Sequence, residues 1–110
     1  MIKTVVVTGG TRGIGAAVSR VLFGAGWHVI AASNSQVEID AFEGSDEIDL
    51  RLLDVTDDKS VNSMFGDLAS LSAMVNCAGI LQRDAEYDLS VFQRVIDVNL
   101  IGTMLSLIHI

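Results

Sequence analysis

The sequence predicts an α/β protein built on a doubly wound parallel sheet, and three observations predict it. Lys3 to Thr8 (KTVVVT) is a continuous β-branched run that ends at glycines, the composition of a strand buried on both faces. The segment after it carries apolar residues at helical spacing, and strand-like and helix-like segments then alternate along the 110 residues. Such alternation calls for parallel strands joined by right-handed crossovers, which place helices on both faces of the sheet.

Each element has its own signal. Ile14, Ala17, Val18, Val21, Leu22 and Ala25 recur at the spacing of one helical face, and Gly24 and Gly26 end that helix. Trp27 to Ala32 (WHVIAA) reads as a second strand and Asp49 to Val55 (DLRLLDV) as a third. Between them the polar, acidic stretch from Ser33 to Ile48 leaves room for only a short helix. Asp57 is placed to cap a second amphipathic helix whose stripe is Val61, Met64, Phe65 and Leu68. Ala73 to Cys77 (AMVNC) is a fourth strand, closed by Gly79. Ser90 and Gln93 form an S-x-x-Q capping box that opens a last helix through Val91, Phe92, Val95 and Ile96. No internal repeat or low-complexity linker interrupts the series, so residues 1–110 are expected to lie within one domain.

Composition narrows the function. Half of the residues are hydrophobic and 19% are charged, too apolar for a disordered chain. Seven Lys and Arg against fourteen Asp and Glu give a net charge of −7, which argues against a nucleic-acid partner that would need a basic face. No apolar stretch reaches the ~18 residues of a membrane-spanning helix, and the amino terminus lacks the regions of a secretion signal. The single cysteine, Cys77, cannot form an internal disulfide, so a reduced, cytoplasmic setting is expected. His28 and His109 have no partners at metal-ligand spacing, and no metal site is expected.

Thr8 to Gly15 reads TGGTRGIG, between a strand and a helix. A tight turn there needs glycine's backbone freedom, and a phosphate needs close approach to bare N–H groups at a helix start. Gly9 and Gly13 suit the turn and the approach, and Gly15 lets the helix lie close against the sheet. A Walker loop is excluded because Ala16 and Ala17 stand where Lys and Ser or Thr would follow. The G-x-G-x-x-G form also fails, with Val18 in the third glycine's place.

What remains, T-G-x-x-x-G-x-G, resembles the cofactor loop of the short-chain dehydrogenases and reductases; the extended, epimerase-like relatives usually carry glycine where Arg12 stands. Three further segments carry the resemblance in register. Asp54 in L-D-V-T-D resembles the aspartate that binds the adenine amino group. Asn76-Cys77-Ala78-Gly79 resembles the N-N-A-G motif beside the cofactor, with Cys77 replacing the second asparagine. Asn99 in D-V-N-L resembles the asparagine of the catalytic tetrad, whose helix position supports a water-linked proton relay. The resemblance implies a Rossmann-type sheet, truncated after about four strands and their helices. It also implies that Thr8, Gly9, Thr11, Arg12, Gly13, Ile14, Gly15, Ser33, Asn34, Asp54, Val55, Asn76, Ala78 and Gly79 bind a dinucleotide, with Asn99 serving catalysis.

These residues also have plainer readings. An aspartate commonly caps a turn, which would suit Asp54. Asn99, on the stripe Phe92, Val95, Ile96, Asn99 and Thr103, faces inward, where it would serve as a satisfied core polar group. Cys77 reads as a small buried hydrophobe.

An NAD-preferring domain places Asp or Glu at the end of the second strand, ~20 residues past the loop. Ser33 and Asn34 stand there instead, with no carboxylate to repel a 2′-phosphate. Arg12 resembles the basic residue that NADP-using members set against that phosphate, although a loop arginine is most often simply solvated. The resemblance therefore implies NADP(H) rather than NAD(H), decided by a charge-assisted hydrogen bond of ~1.5–3 kcal/mol.

The family's chemistry is hydride transfer between a nicotinamide and a carbonyl or alcohol carbon, carried by a serine and a Y-x-x-x-K pair. The one tyrosine, Tyr87, is followed by Asp88, Leu89, Ser90 and Val91, and the only lysines are Lys3 and Lys59. The chain is therefore expected to be the amino-terminal, cofactor-binding part of an oxidoreductase, inactive by itself. Its substrate would be a small carbonyl or alcohol compound, such as a 3-oxoacyl thioester on an acyl carrier. A non-catalytic dinucleotide-binding or regulatory domain would contain the same glycine loop without the tyrosine and lysine.

Leu105 to Ile110 (LSLIHI) has two readings. It is the in-frame translation of CTG TCT CTT ATA CAC ATC, a stretch of a transposase sequencing adapter, and it also suits continuation of an apolar helix. On that helix Val91, Val98, Ile101 and Leu105 form a second apolar row. Family members pack this helix against its copy, implying a homo-oligomer, a dimer or tetramer; the alternative cover is more of the same chain. Uncovered, the fourth strand would be an unpaired edge and the helix would expose apolar surface.

Overall fold

Four parallel strands pair in the order β3-β2-β1-β4: β1 Thr4–Thr8, β2 His28–Ser33, β3 Asp49–Leu52 and β4 Ala73–Asn76. The computed structural model describes residues 2–80, 82 and 85–107, with only the backbone of Glu86. His109 and the end of the LSLIHI segment lie outside the described residues. Successive side chains of a strand point to opposite faces, and both faces here are apolar. Val5 and Val7 of β1 join Val29 and Ala31 of β2 on one side, while Val6, Ile30 and Ala32 face the other. The register sets Val6 between Ile30 and Met74, which makes β1 and β2 the inner strands.

Helices cover both faces, as a doubly wound sheet requires. α1 (Gly13–Gly24) packs Val18, Leu22 and Phe23 on the Val5 side. α3 (Asp58–Gly66) packs Val61 and Met64 on the Val6 side, joined there by Val98 and Leu105 of the last helical segment. α2 (Gln36–Asp40) is the short helix that the polar stretch allowed. Asp57 caps α3 as the sequence predicts, its carboxylate accepting from Lys59 N–H at 3.0 Å. Among the described residues, no helix is long and apolar enough to cross a membrane.

The predicted inner face of α1 is rotated. Ile14 and Val21 are 80% and 71% exposed, and Ala17 and Ala25 are exposed as well. Gly15, Ala16 and Ser19 are buried instead. The Ser19 hydroxyl lies 3.0 Å from the Gly10 carbonyl and 2.9 Å from that of Gly15, while Gly15 presses on the backbone of Gly9. A helix that must lie against the turn feeding it places its smallest residues inward. Hydrophobic periodicity does not register that demand.

The last helical segment departs from expectation in two ways. Its cap is Asp88 rather than a Ser90–Gln93 box: Asp88 Oδ1 accepts from Ser90 N–H at 2.9 Å and from the Ser90 hydroxyl at 2.6 Å, while Gln93 donates to Asp97. A carboxylate is the stronger acceptor of the two candidates. Furthermore, α4 (Leu89–Ile96) and α5 (Gly102–Leu107) are joined by a π turn, Asp97–Ile101. The wider turn carries an extra residue and rotates everything after it by roughly 100°. Val98, Gly102 and Ser106 consequently face the core and Asn99 is exposed rather than inward; Phe92, ahead of the turn, is half exposed. The second apolar row is split as well, with Val98 and Leu105 packed into the core and Ile101 left outside.

Candidate functional site

The strand order reverses between β1, which leads on to β2 and β3, and β4, which pairs on its other side. Such a switch point leaves a crevice at the carboxyl ends of the strands. Here the main chain closes tightly around it. Cys77 N–H donates to the Thr8 carbonyl at 3.1 Å, Ala78 N–H to the Thr8 hydroxyl at 3.3 Å, and Gly10 N–H to the Ala32 carbonyl at 3.0 Å. Gly9 turns with φ +62°, and a Cβ there would lie 2.8 Å from Ala78 N and from the Cys77 carbonyl oxygen. On the opposite side, a Cβ at Gly15 would strike the Gly9 carbonyl oxygen. The turn is held between β4's loop and α1, with no room for a side chain at Gly9 or Gly15.

α1 begins without a cap. Arg12 occupies the N-cap position in extended conformation, makes no side-chain cap bond, and no acidic residue lies in the first turn. The first-turn N–H groups therefore keep their partial positive charge, the arrangement that binds an anion. Two buried side-chain oxygens near this end, Thr11 Oγ1 and Asn76 Oδ1, have no hydrogen-bond partner among the described residues. Unsatisfied buried oxygens are costly and call for an explanation.

Of the residues singled out from sequence, Thr8, Gly9, Arg12, Ser33, Asn34, Asp54, Val55, Ala78 and Gly79 line one cleft over the strand ends. Thr11, Gly13, Ile14, Gly15 and Asn76 do not line it: Thr11 and Gly15 are buried beneath the turn, and Gly13 and Ile14 are exposed at its outer edge. Cys77, read as a buried hydrophobe, is only half-buried and also lines the cleft, although it packs on the Val5 face. Asn99 lies in an adjoining depression that shares Arg12, Gly79 and Ile80 with the cleft.

Asp54 makes the turn bond of its plainer reading with one oxygen. Its Oδ1 accepts from Thr56 N–H at 2.9 Å and from the Thr56 hydroxyl at 2.6 Å, a turn bond of the ordinary kind. No described residue bonds Oδ2, so one oxygen remains for the cleft. The Thr56 hydroxyl, foremost, with the Thr56 N–H and the charge of Arg94, holds the carboxyl below its usual pKa, outweighing partial burial. A depressed carboxyl contributes stability above its unfolded pKa and loses it as pH falls through the folded one. Thr56→Val is therefore expected to lower the urea midpoint at pH ~7, with the deficit shrinking toward pH ~3. An identical deficit at both pH values would contradict the assignment.

Sequence reasoning missed Glu38. It lines the cleft from α2, its Oε1 3.2 Å from Arg12 Nη1 and its Oε2 accepting from the Ser33 hydroxyl at 3.1 Å. A carboxylate thus does stand beside Ser33, supplied from the following helix rather than from the end of β2. The S-x-x-E spacing of Ser35 and Glu38 was the available signal.

The amide of Asn99 is bonded at both ends. Its Oδ1 accepts from Ile80 N–H at 2.8 Å and its Nδ2 donates to the Ile80 carbonyl at 2.9 Å. The side chain therefore fastens the π turn to the loop after β4, and the Thr103 hydroxyl donates to the Asn99 carbonyl at 3.1 Å.

Comparison with known proteins places this geometry among relatives. The chain is 34% identical over 112 residues to human 3-hydroxyacyl-CoA dehydrogenase type-2, covering 89% of this chain and 43% of that protein. It is 32% identical to a cis-4-hydroxycyclohexanecarboxylate dehydrogenase of Sinomonas cyclohexanicum, over 94% of this chain and 46% of that one. The chain thus spans less than half the length of these relatives. Among solved structures, ElxO with NADP bound superposes with a TM-score of 0.84 at 28% identity, over 99% of this chain and 49% of ElxO. A short-chain type dehydrogenase/reductase from Mycobacterium ulcerans superposes with a TM-score of 0.80 at 26% identity, over 97% of this chain and 44% of that one. The profile of the short chain dehydrogenases matches residues 3–109, which spans the glycine turn, Asp54, the loop after β4 and Asn99 together, and the chain belongs to that family.

Proposed function

We propose that this chain is the dinucleotide-binding part of an oxidoreductase that prefers NADP(H) and acts on a small carbonyl or alcohol substrate. The observation that carries the reading is the uncapped start of α1 behind a turn that admits no Cβ at Gly9 or Gly15, at the head of a cleft lined by Asp54 and Arg12. The residues present fit such a cofactor, because a Cβ at Gly9 or Gly15 would fill the cradle and Thr11 Oγ1 is buried without a partner. When bound, the nicotinamide supplies or accepts the hydride.

The chain's own residues bind and orient. First-turn N–H groups of α1 hold the pyrophosphate, Asp54 Oδ2 accepts from the adenine amino group, and Arg12 reaches a 2′-phosphate. Asn99 keeps the Ile80 loop in place beside the cleft. The serine and Y-x-x-x-K pair that complete the family's chemistry are not among these residues, and we place them in the longer natural protein. A longer sequence without that pair would make this a non-catalytic binding or regulatory domain. Recovery of the genomic locus tests this, and it also decides between the two readings of the LSLIHI tail. The setting we propose is cytoplasmic, and the exposed Phe92, Leu100 and Met104 suit a homo-oligomer contact.

Titration with NADPH and NADH tests the cofactor reading. NADPH is expected to bind more tightly, and Arg12→Ala to narrow the gap by about tenfold or more, the worth of one charge-assisted hydrogen bond. Equal affinities in the unsubstituted protein would overturn the preference.

A further inference from the structure

We propose that Glu38 sets the margin by which this protein discriminates NADP(H) from NAD(H), by competing with the 2′-phosphate for Arg12; the inference rests on the dinucleotide reading above. Glu38 occupies the third position of α2, whose N-cap is Ser35. In a capping box of this spacing the glutamate turns back to the N–H of the capping residue. Here that N–H donates to the Ser33 hydroxyl at 3.1 Å, so the position is taken. The Ser33 oxygen in turn lies 3.1 Å from Glu38 Oε2, and Oε1 lies 3.2 Å from Arg12 Nη1. Ser33 has released the carboxylate from its usual capping duty and turned it toward the cleft that Ser33, Arg12 and Glu38 all line.

Burial tells which partner yields. The Glu38 side chain is 30% exposed and held by Ser33, whereas that of Arg12 is 72% exposed. A ribose 2′-phosphate that engages Arg12 must therefore displace a fixed carboxylate and then remain near it, two anions sharing one guanidinium. For NAD(H) the same carboxylate is an acceptor for ribose hydroxyls, the role that Asp or Glu plays at the end of β2 in NAD-preferring domains. Arg12 and Glu38 thus pull in opposite directions, and a chain that carries both keeps a preference for NADP(H) that is smaller than Arg12 alone would set. A half-exposed ion pair contributes little to folding, and the Ser35 cap does not need the Glu38 side chain, so its removal tests recognition rather than stability.

The experiment is titration of the full chain with NADPH and NADH, before and after Glu38→Gln and in the Arg12→Ala background. Glu38→Gln is expected to tighten NADPH and weaken NADH, moving the affinity ratio by about tenfold or more toward NADPH, with the NADPH gain absent when Arg12 is alanine. An unchanged ratio, or equal losses for both nucleotides, would overturn the role of Glu38 while leaving the site intact. Binding of neither nucleotide by the unsubstituted protein would overturn the dinucleotide reading itself.

Discussion

Gly15→Ala is expected to lower dinucleotide affinity by about a hundredfold or more, the equivalent of ~3 kcal/mol of forced displacement in a packed site. The added Cβ would strike the Gly9 carbonyl oxygen and lie 2.7 Å from the Gly9 carbonyl carbon and 3.1 Å from Gly10 Cα. All of these are backbone atoms, which cannot rotate aside as a side chain would. Nor can Gly9 retreat, because its far side lies against the backbone of Cys77 and Ala78. The helix must therefore lift from the turn, taking its first N–H groups with it. Gly24→Ala is the control, since a Cβ there meets nothing within 4 Å. Fluorescence titration with NADPH measures both variants. Unchanged affinity in Gly15→Ala would show that the turn is not the phosphate cradle.

Ile30→Ala is expected to destabilise the fold by about 2–5 kcal/mol, and Ile30→Val by about 0.5–1.5 kcal/mol. Ile30 is 0% exposed on an inner strand and belongs to the cluster that joins Val6, Leu53, Val61, Met64 and Val98. Whole domains are stable by only about 5–15 kcal/mol, so the alanine variant removes much of the total. The effect also reaches the site. Leu53, Val55 and Val98, members of that cluster, line the cleft, so nucleotide affinity is expected to fall alongside the urea midpoint. A midpoint change in Ile30→Ala no larger than in Ile30→Val would mean that the surrounding layer collapses into the space.

The strands were legible because Val5 to Val7 and Val29 to Ala32 are apolar on both faces, a composition that few environments other than a covered parallel sheet accept. The glycine turn and Asp54 were legible because their chemistry is local: a turn needing glycine and an aspartate bonding Thr56 two residues on. The face of α1 was not, because Gly15 and Ser19 are buried by close approach to a turn rather than by hydrophobicity. The orientation of Asn99 was hidden by the π turn at Asp97–Ile101, which no residue pattern announces. Glu38 went unread because its partner Arg12 lies on a different element, and an ion pair across elements leaves no periodic trace.

The sequence by itself determined that alternating strands and helices would build a doubly wound sheet with a glycine turn after its first strand, since local conformation and apolar patterning dictate both. Only the tertiary structure decided which helix faces turn inward, what holds Asn99, and that a carboxylate stands beside Arg12. Those outcomes depend on distances between segments remote in sequence, where a clash with one carbonyl oxygen or an ion pair of 3.2 Å outweighs any pattern along the chain.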